Sequence, residues 1–140
     1  MLQICPQPLC GRKAMNKASA WGMRLHQVLS FSPLFLYCDT APAVFWPGCA
    51  LMNLDPQILE KTWSVLQRAE PKIGVCTCCC GQPSRYLFPQ KAEARQMRIR
   101  QILQKHGVKQ VYTACPNCSN ELREWAAVYC FIYRNHFGLF

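Results

Sequence analysis

The chain has 140 residues, enough for one ordinary domain with a real core and too few for two. At 51% hydrophobic and 16% charged it is globular in composition, and no apolar run approaches the ~20 residues of a membrane helix. A net charge of +9 and eleven cysteines stand out; the odd count leaves a thiol over in any fully disulfide-paired scaffold, and the consecutive Cys78-Cys79-Cys80 has little use in one.

Residues 1–42 read as a poorly ordered or partly helical N-terminal extension. It is interrupted by Pro6, Pro8 and Pro33, with a helix over Ala14 to Ser30 followed by a loop. Cys5 and Cys10 read as two free thiols of a tail rather than ligands. Leu25 to Tyr37 is apolar like a signal core, but Ser30, Ser32 and Pro33 break it, and the residues before Cys38 lack the small side chains of lipoprotein processing. The expected setting is therefore reducing and cytoplasmic, where clustered thiols mean metal or redox chemistry more often than structural bridges.

Residues 43–140 read as a single domain. Ala43 to Trp46 is a short apolar strand stopped by Pro47-Gly48. Asp55-Pro56 has the form of an N-cap with proline at the first helical position, followed by Ile58, Leu59, Thr62, Val65, Leu66 and Ala69 at helical spacing up to Pro71. Ile73 to Thr77 is a second strand. A second helix runs from about Phe88 to His106, with Phe88, Ala92, Ile99, Ile102 and Leu103 on one face and Gly107 as its C-terminal cap. Val108 to Ala114 is a third strand, and a third helix starts near Asn117. The order βαβαβα implies an α/β fold with a small parallel sheet, three strands wide. The apolar stretch Trp125 to Tyr133 and the abrupt end at Phe137-Gly138-Leu139-Phe140 suggest a short or truncated domain, or one completed by a partner.

The cysteines recur at one place in that scheme. Cys49 follows the first strand, Cys79 and Cys80 the second, Cys115 and Cys118 the third, each set where the next helix would begin. The carboxyl ends of parallel strands share one edge, so five thiols distant in sequence should meet there. Helix N-termini favour thiolates and offer N–H groups to cluster sulfides, and Arg85 is the expected local counter-charge. Cys-x-x-Cys alone suits zinc or iron–sulfur equally; the adjacent Cys79-Cys80 favours a multinuclear cluster, because neighbouring side chains point apart and rarely share one tetrahedral ion.

Pro47-Gly48-Cys49, then Cys79-Cys80-Gly81, then Cys115-Pro116-Asn117-Cys118 resembles the CCG motif of the cysteine-rich domain. That domain occurs in the cysteine-rich subunit of heterodisulfide reductase, in an iron–sulfur subunit of glycerol-3-phosphate dehydrogenase and in lactate-utilisation iron–sulfur proteins. The resemblance covers about Val44 to Trp125 and implies Cys49, Cys79, Cys80, Cys115 and Cys118 as ligands of an iron–sulfur cluster, with four irons and four sulfides as the expected kind. The heterodisulfide reductase subunit carries two such motifs and this chain one, which favours an electron-transfer or cluster-binding unit over disulfide cleavage at paired clusters. Cys76, Cys78 and Cys130 match no position of the motif, and Cys76 reads as a small buried hydrophobe.

His26, His106 and His136 show no ligand spacing and read as surface histidines, and the four tryptophans as core or helix-face residues. No phosphate-binding glycine loop or Ser-His-Asp order appears, so a flavin would belong to a partner, a flavin- or cluster-bearing redox protein. Between Arg85 and Lys109 seven basic residues face one acid, Glu93. On the helix, Lys91, Arg95 and Arg98 should share a side facing away from Ala92, Ile99 and Leu103. Aromatics occur only at its start (Tyr86, Phe88), which gives specific nucleic-acid binding little support. The alternative to the redox reading is a zinc-stabilised binding module whose basic helix meets nucleic acid or an acidic partner.

Overall fold

Four short strands form the sheet: β1 (Ala43–Trp46), β2 (Gly74–Val75), β3 (Gln110–Thr113) and β4 (Ala127–Cys130). All pair in parallel, in the order β2-β1-β3-β4. The computed structural model describes residues 17–52 and 55–130. The expectations for Cys5, Cys10, the Cys130 side chain, His136 and the aromatic end at Phe137–Phe140 lie outside the described residues.

The architecture is the expected α/β arrangement with a small parallel sheet, four strands wide instead of three. β4 comes from the stretch after Trp125. It is an edge strand with Ala127 and Tyr129 exposed and Val128 half-buried, and its exposed positions carry no charged side chain, so the sequence shows no apolar–polar alternation to announce it. Helices α1 (Lys17–Ser30), α2 (Gly48–Met52), α3 (Pro56–Ala69), α4 (Ser84–Leu87), α5 (Pro89–Lys105) and α6 (Pro116–Leu122) fill the connections. The chain leaves β1 for β2 through α3, returns past β1 to β3 through α5, and steps to β4 through α6. Right-handed crossovers then put α3 on one face and α5 and α6 on the other. The strand order reverses between β1 and β3, the place where open α/β sheets bind ligands.

Packing follows the alternation of the strands. Phe45, Leu51, Ile73 and Ala114 meet Leu59, Trp63 and Leu66 of α3. Val44, Trp46 and Val111 point the other way, into a core with Phe31, Ile99, Leu103, Leu122 and the buried cysteines. Asp55 caps α3 by accepting a bond from the Gln57 N–H at 2.9 Å. The inward face of α3 is set by Trp63, whose ring lies 6.2 Å from that of Phe45. The expected core residues Ile58 and Val65 are therefore turned outward and exposed.

Helix α5 buries Ile99 and Leu103 and ends before Gly107, whose φ of +66° is the left-handed conformation of a C-terminal cap. It differs from expectation at Arg95, which is buried instead of sharing an outer face with Lys91 and Arg98. Its guanidinium lies over the Phe88 and Phe31 rings, at 4.8 and 5.0 Å, and donates to Ser84 Oγ at 2.6 Å. Two aromatic faces and a hydroxyl acceptor substitute for water around the charge. Among the described residues, no helix is long and apolar enough to cross a membrane.

Candidate metal centre

Cys49 stands three residues past the end of β1, Cys79 four past β2 and Cys115 two past β3. The segments that follow three neighbouring parallel strands thus carry the cysteines, with Cys49 in the first turn of α2 and Cys118 in α6. At Gly48 the backbone turns with φ of +72°, and a Cβ there would stand 3.0 Å from Cys118 Sγ and 3.2 Å from Cys115 Cβ. Only glycine lets the β1 loop pass so close to the β3 loop, at the point where the sheet order reverses.

The five thiols form one line of contacts. Cys49 shares a hydrogen bond with Cys79, Cys79 with Cys80, Cys80 with Cys118, and Cys118 with Cys115. All are buried except Cys49, which is half-buried. Two of the five, Cys79 and Cys115, are favoured as thiolates, and the other three are held protonated. The Cys49 and Cys80 hydrogen bonds drive Cys79 far below the ordinary thiol range, against the opposing effect of burial. A hydrogen bond from Cys118 and the backbone N–H groups of Cys118 and Asn117 bring Cys115 down to about 6. Cys80 is drawn down by Cys118, but its bond to Cys79, burial and the Cys79 charge outweigh that and push it up to about 12. Cys49 and Cys118, as donors to thiolates, are raised.

A buried polar relay stands behind Cys79. Arg95 Nη1 donates to Ser84 Oγ at 2.6 Å, Ser84 to Gln27 Oε1 at 2.6 Å, and Gln27 Nε2 to Cys79 Sγ at 3.1 Å. The Gly81 N–H donates to the same sulfur at 3.4 Å. Gln27 and Ser84 are fully buried, so each bond is made where an unmade one would cost about 1–3 kcal/mol. His26 also reaches Cys79, and that hydrogen bond raises the imidazole pKa against burial. Behind Cys80, Gln96 Nε2 bridges the Cys80 carbonyl at 3.2 Å and Glu121 at 2.9 Å.

Several of these partners have no signal in the sequence. Gln27 meets Cys79 across 52 residues of chain, and His26 is half-buried beside it rather than on the open surface. Arg85, the expected counter-charge, is instead committed to Glu121 at 2.8 Å, and the cation that feels the Cys79 charge is Arg95. A lone arginine in a basic helix gives no hint of facing inward. Cys76 is fully buried as expected, but it is hydrogen-bonded to Cys38 and Cys78 rather than packed as a plain hydrophobe.

Among the described residues, no three or more His, Cys, Asp or Glu side chains are arranged to hold a metal ion as they stand. Each of the five thiols is hydrogen-bonded to the next, and no three of them converge as ligands. The donor set nonetheless suits a cofactor with several metal atoms: five soft thiols, two of them favoured as thiolates, and no hard carboxylate ligand within the line. Trp46 adds a second observation. Its indole Nε1 is fully buried in the same core as Cys79, Cys80, Cys115 and Cys118 and has no hydrogen-bond partner among the described residues. Such an orphaned donor is what a bound group with acceptor sulfurs would satisfy.

Neither a curated protein nor a solved structure matches the chain. A family model does, over residues 43–123, the span from β1 to just past α6, and it points to metal or cluster binding. The order of loops, the glycine at 48 and the five thiols they carry fall within that match, and the chain belongs to the CCG cysteine-rich domain family.

Proposed function

We propose that Cys49, Cys79, Cys80, Cys115 and Cys118 hold an iron–sulfur cluster of the four-iron four-sulfur kind, and that the domain is a redox module of a heterodisulfide-reductase-like complex. It transfers electrons or takes part in thiol and disulfide reduction there. The observation that carries this reading is how the Cys79-Cys80 pair divides: Cys79 meets Cys49 of α2, after β1, while Cys80 meets Cys118 of α6, after β3. Neighbouring residues reaching opposite arms join five donors, one more than a closed tetrahedral zinc site uses. When bound, the cluster supplies reversible one-electron transfer. The chain's own residues set the conditions for it. Gln27 and the Gly81 N–H hold Cys79 toward the thiolate, Arg95 offsets part of the charge from a water-poor position, and the Trp46 indole offers a donor.

Lys91, Arg98, Arg100 and Lys105 remain exposed on α5. They suit docking on an acidic face of a flavin- or cluster-bearing redox protein, in line with the absence of a flavin motif in this sequence. The test is visible absorption of protein purified without oxygen. A brown colour that bleaches on adding dithionite and returns on reoxidation supports the reading; colourless protein with zinc bound refutes it.

A further inference from the structure

Among the described residues, three buried thiols take no part in that site: Cys38, Cys76 and Cys78. Cys38 and Cys76 face each other across an isolated antiparallel bridge. The bonds on either side, Asp39 N–H to the Val75 carbonyl and Thr77 N–H to the Tyr37 carbonyl, both 2.9 Å, make them a non-hydrogen-bonded pair. In such pairs the Cα atoms stand about 4.5 Å apart and the side chains are closest. That separation falls within the roughly 4.4–6.8 Å a disulfide spans. Their sulfurs already share a hydrogen bond, and Cys78 Sγ lies 3.4 Å from Cys76 Sγ. Asp39 Oδ2 accepts from the Val75 N–H at 2.8 Å, so the two backbones are held in register beside the pair.

We propose that Cys38 and Cys76 are a reversible dithiol–disulfide couple, with Cys78 as the thiol that reopens it by exchange. Cys38 is the member with measurable exposure, 8% against none for Cys76 and Cys78, so a small oxidant such as hydrogen peroxide meets it first. The hydrogen bond from Cys76 keeps the Cys38 thiol below its ordinary range, which favours the nucleophilic thiolate. Cys38 sulfur attacks a peroxide oxygen, the O–O bond breaks, and hydroxide leaves a sulfenic acid behind. Cys76 sulfur then attacks Cys38 sulfur, the S–O bond breaks, and the departing hydroxide leaves as water with the Cys76 proton. Two thiols have lost two electrons and two protons, and peroxide has become two waters. For reopening, Cys78 attacks Cys76 sulfur, an S–S bond forms between Cys76 and Cys78 as the bond to Cys38 breaks, and Cys38 departs as thiolate; an external dithiol then reduces the Cys76–Cys78 bond, becoming a disulfide itself and restoring both thiols. The disulfide would staple the segment between α1 and β1 to the end of β2, independently of any cluster at the five-thiol site.

The test uses the full chain, reduced and then given a stoichiometric amount of hydrogen peroxide. Remaining thiols are alkylated and the protein is cut on the amino side of Asp39, which separates Cys38 from Cys49, before fragment mass spectrometry. The expected result is a Cys38–Cys76 cross-link, reversed by dithiothreitol, lost in Cys38→Ala and in Cys76→Ala, and accompanied by a higher Tm in the wild type only. The same cross-link should form when Cys79→Ser removes a proposed cluster ligand, which separates this couple from the cluster reading. In Cys78→Ala the cross-link should persist and be reduced more slowly. Oxidation confined to Cys49, Cys79, Cys80, Cys115 and Cys118, or a Cys38 oxidised without any cross-link, overturns the couple. Unchanged reduction in Cys78→Ala removes the role of Cys78.

Discussion

The two faces of the sheet are built on different terms. Under α3 the contacts are carbon against carbon: Phe45, Leu51, Ile73 and Ala114 against Leu59, Trp63 and Leu66. None of the α3 residues is fully buried, and an open apolar groove runs between Phe45, Met52, Leu59 and Trp63. The opposite face packs more tightly, and it buries thiols together with Gln27, Ser84, Arg95, Thr113 and Ser119. Burying those groups is costly unless each finds a partner, and most of them do. The purely apolar contacts thus lie under α3, and the polar complexity gathers around the cysteines. The faces should therefore separate under mutation: one side loses metal, the other loses stability.

The largest effect is expected from the ligands. Cys79→Ser, Cys80→Ser, Cys115→Ser or Cys118→Ser should abolish or badly weaken iron and sulfide retention, whereas Cys5→Ser, Cys10→Ser and Cys130→Ser should stay near wild type; equal loss in both groups sinks the assignment. On the α3 face, Phe45→Ala should cost about 3–5 kcal/mol in chemical denaturation, as for a buried aromatic truncated in a core, with iron per folded chain unchanged. A parallel fall in both would mean the faces are not separable.

Smaller effects probe the polar side, with one control on α3. Arg95→Met keeps much of the packing against Phe31 and Phe88 but takes a donor from Ser84, so a loss of about 1–3 kcal/mol is expected in the same denaturation assay. An unchanged midpoint would show that the relay to Cys79 is slack. Trp46→Phe removes the orphaned N–H while keeping an aromatic ring. If that donor serves the cluster, the midpoint in a potentiometric titration should fall by roughly 60 mV, since a hydrogen bond to a charged group is worth about 1.5 kcal/mol or more. The smallest change is Asp55→Ala, which removes the α3 cap for about 1 kcal/mol and should leave the potential where it was.

The same division explains what can be read from residues alone. β1, the Asp55 cap, the run of α5 and the Gly107 stop announce themselves through local chemistry: an apolar run, a carboxylate before proline, a glycine after a periodic face. The five thiols are legible because parallel strands bring their ends to one edge whatever the side chains do. Gln27 and His26 are not, because their partner Cys79 lies more than fifty residues on in the chain and neither carries a motif. Arg95 misleads for a physical reason: charge is ordinarily solvated, and only the Phe31 and Phe88 rings with Ser84 make its burial tolerable. β4 escapes detection because its exposed positions hold Ala127 and Tyr129 rather than charged residues, so its alternating exposure leaves no apolar–polar pattern in the sequence.

The decisive measurement is of iron, zinc and acid-labile sulfide per chain in protein purified without oxygen. About four irons and four sulfides with almost no zinc are expected, all lost together in Cys79→Ser. Zinc near one per chain, with neither iron nor sulfide, would contradict the cluster.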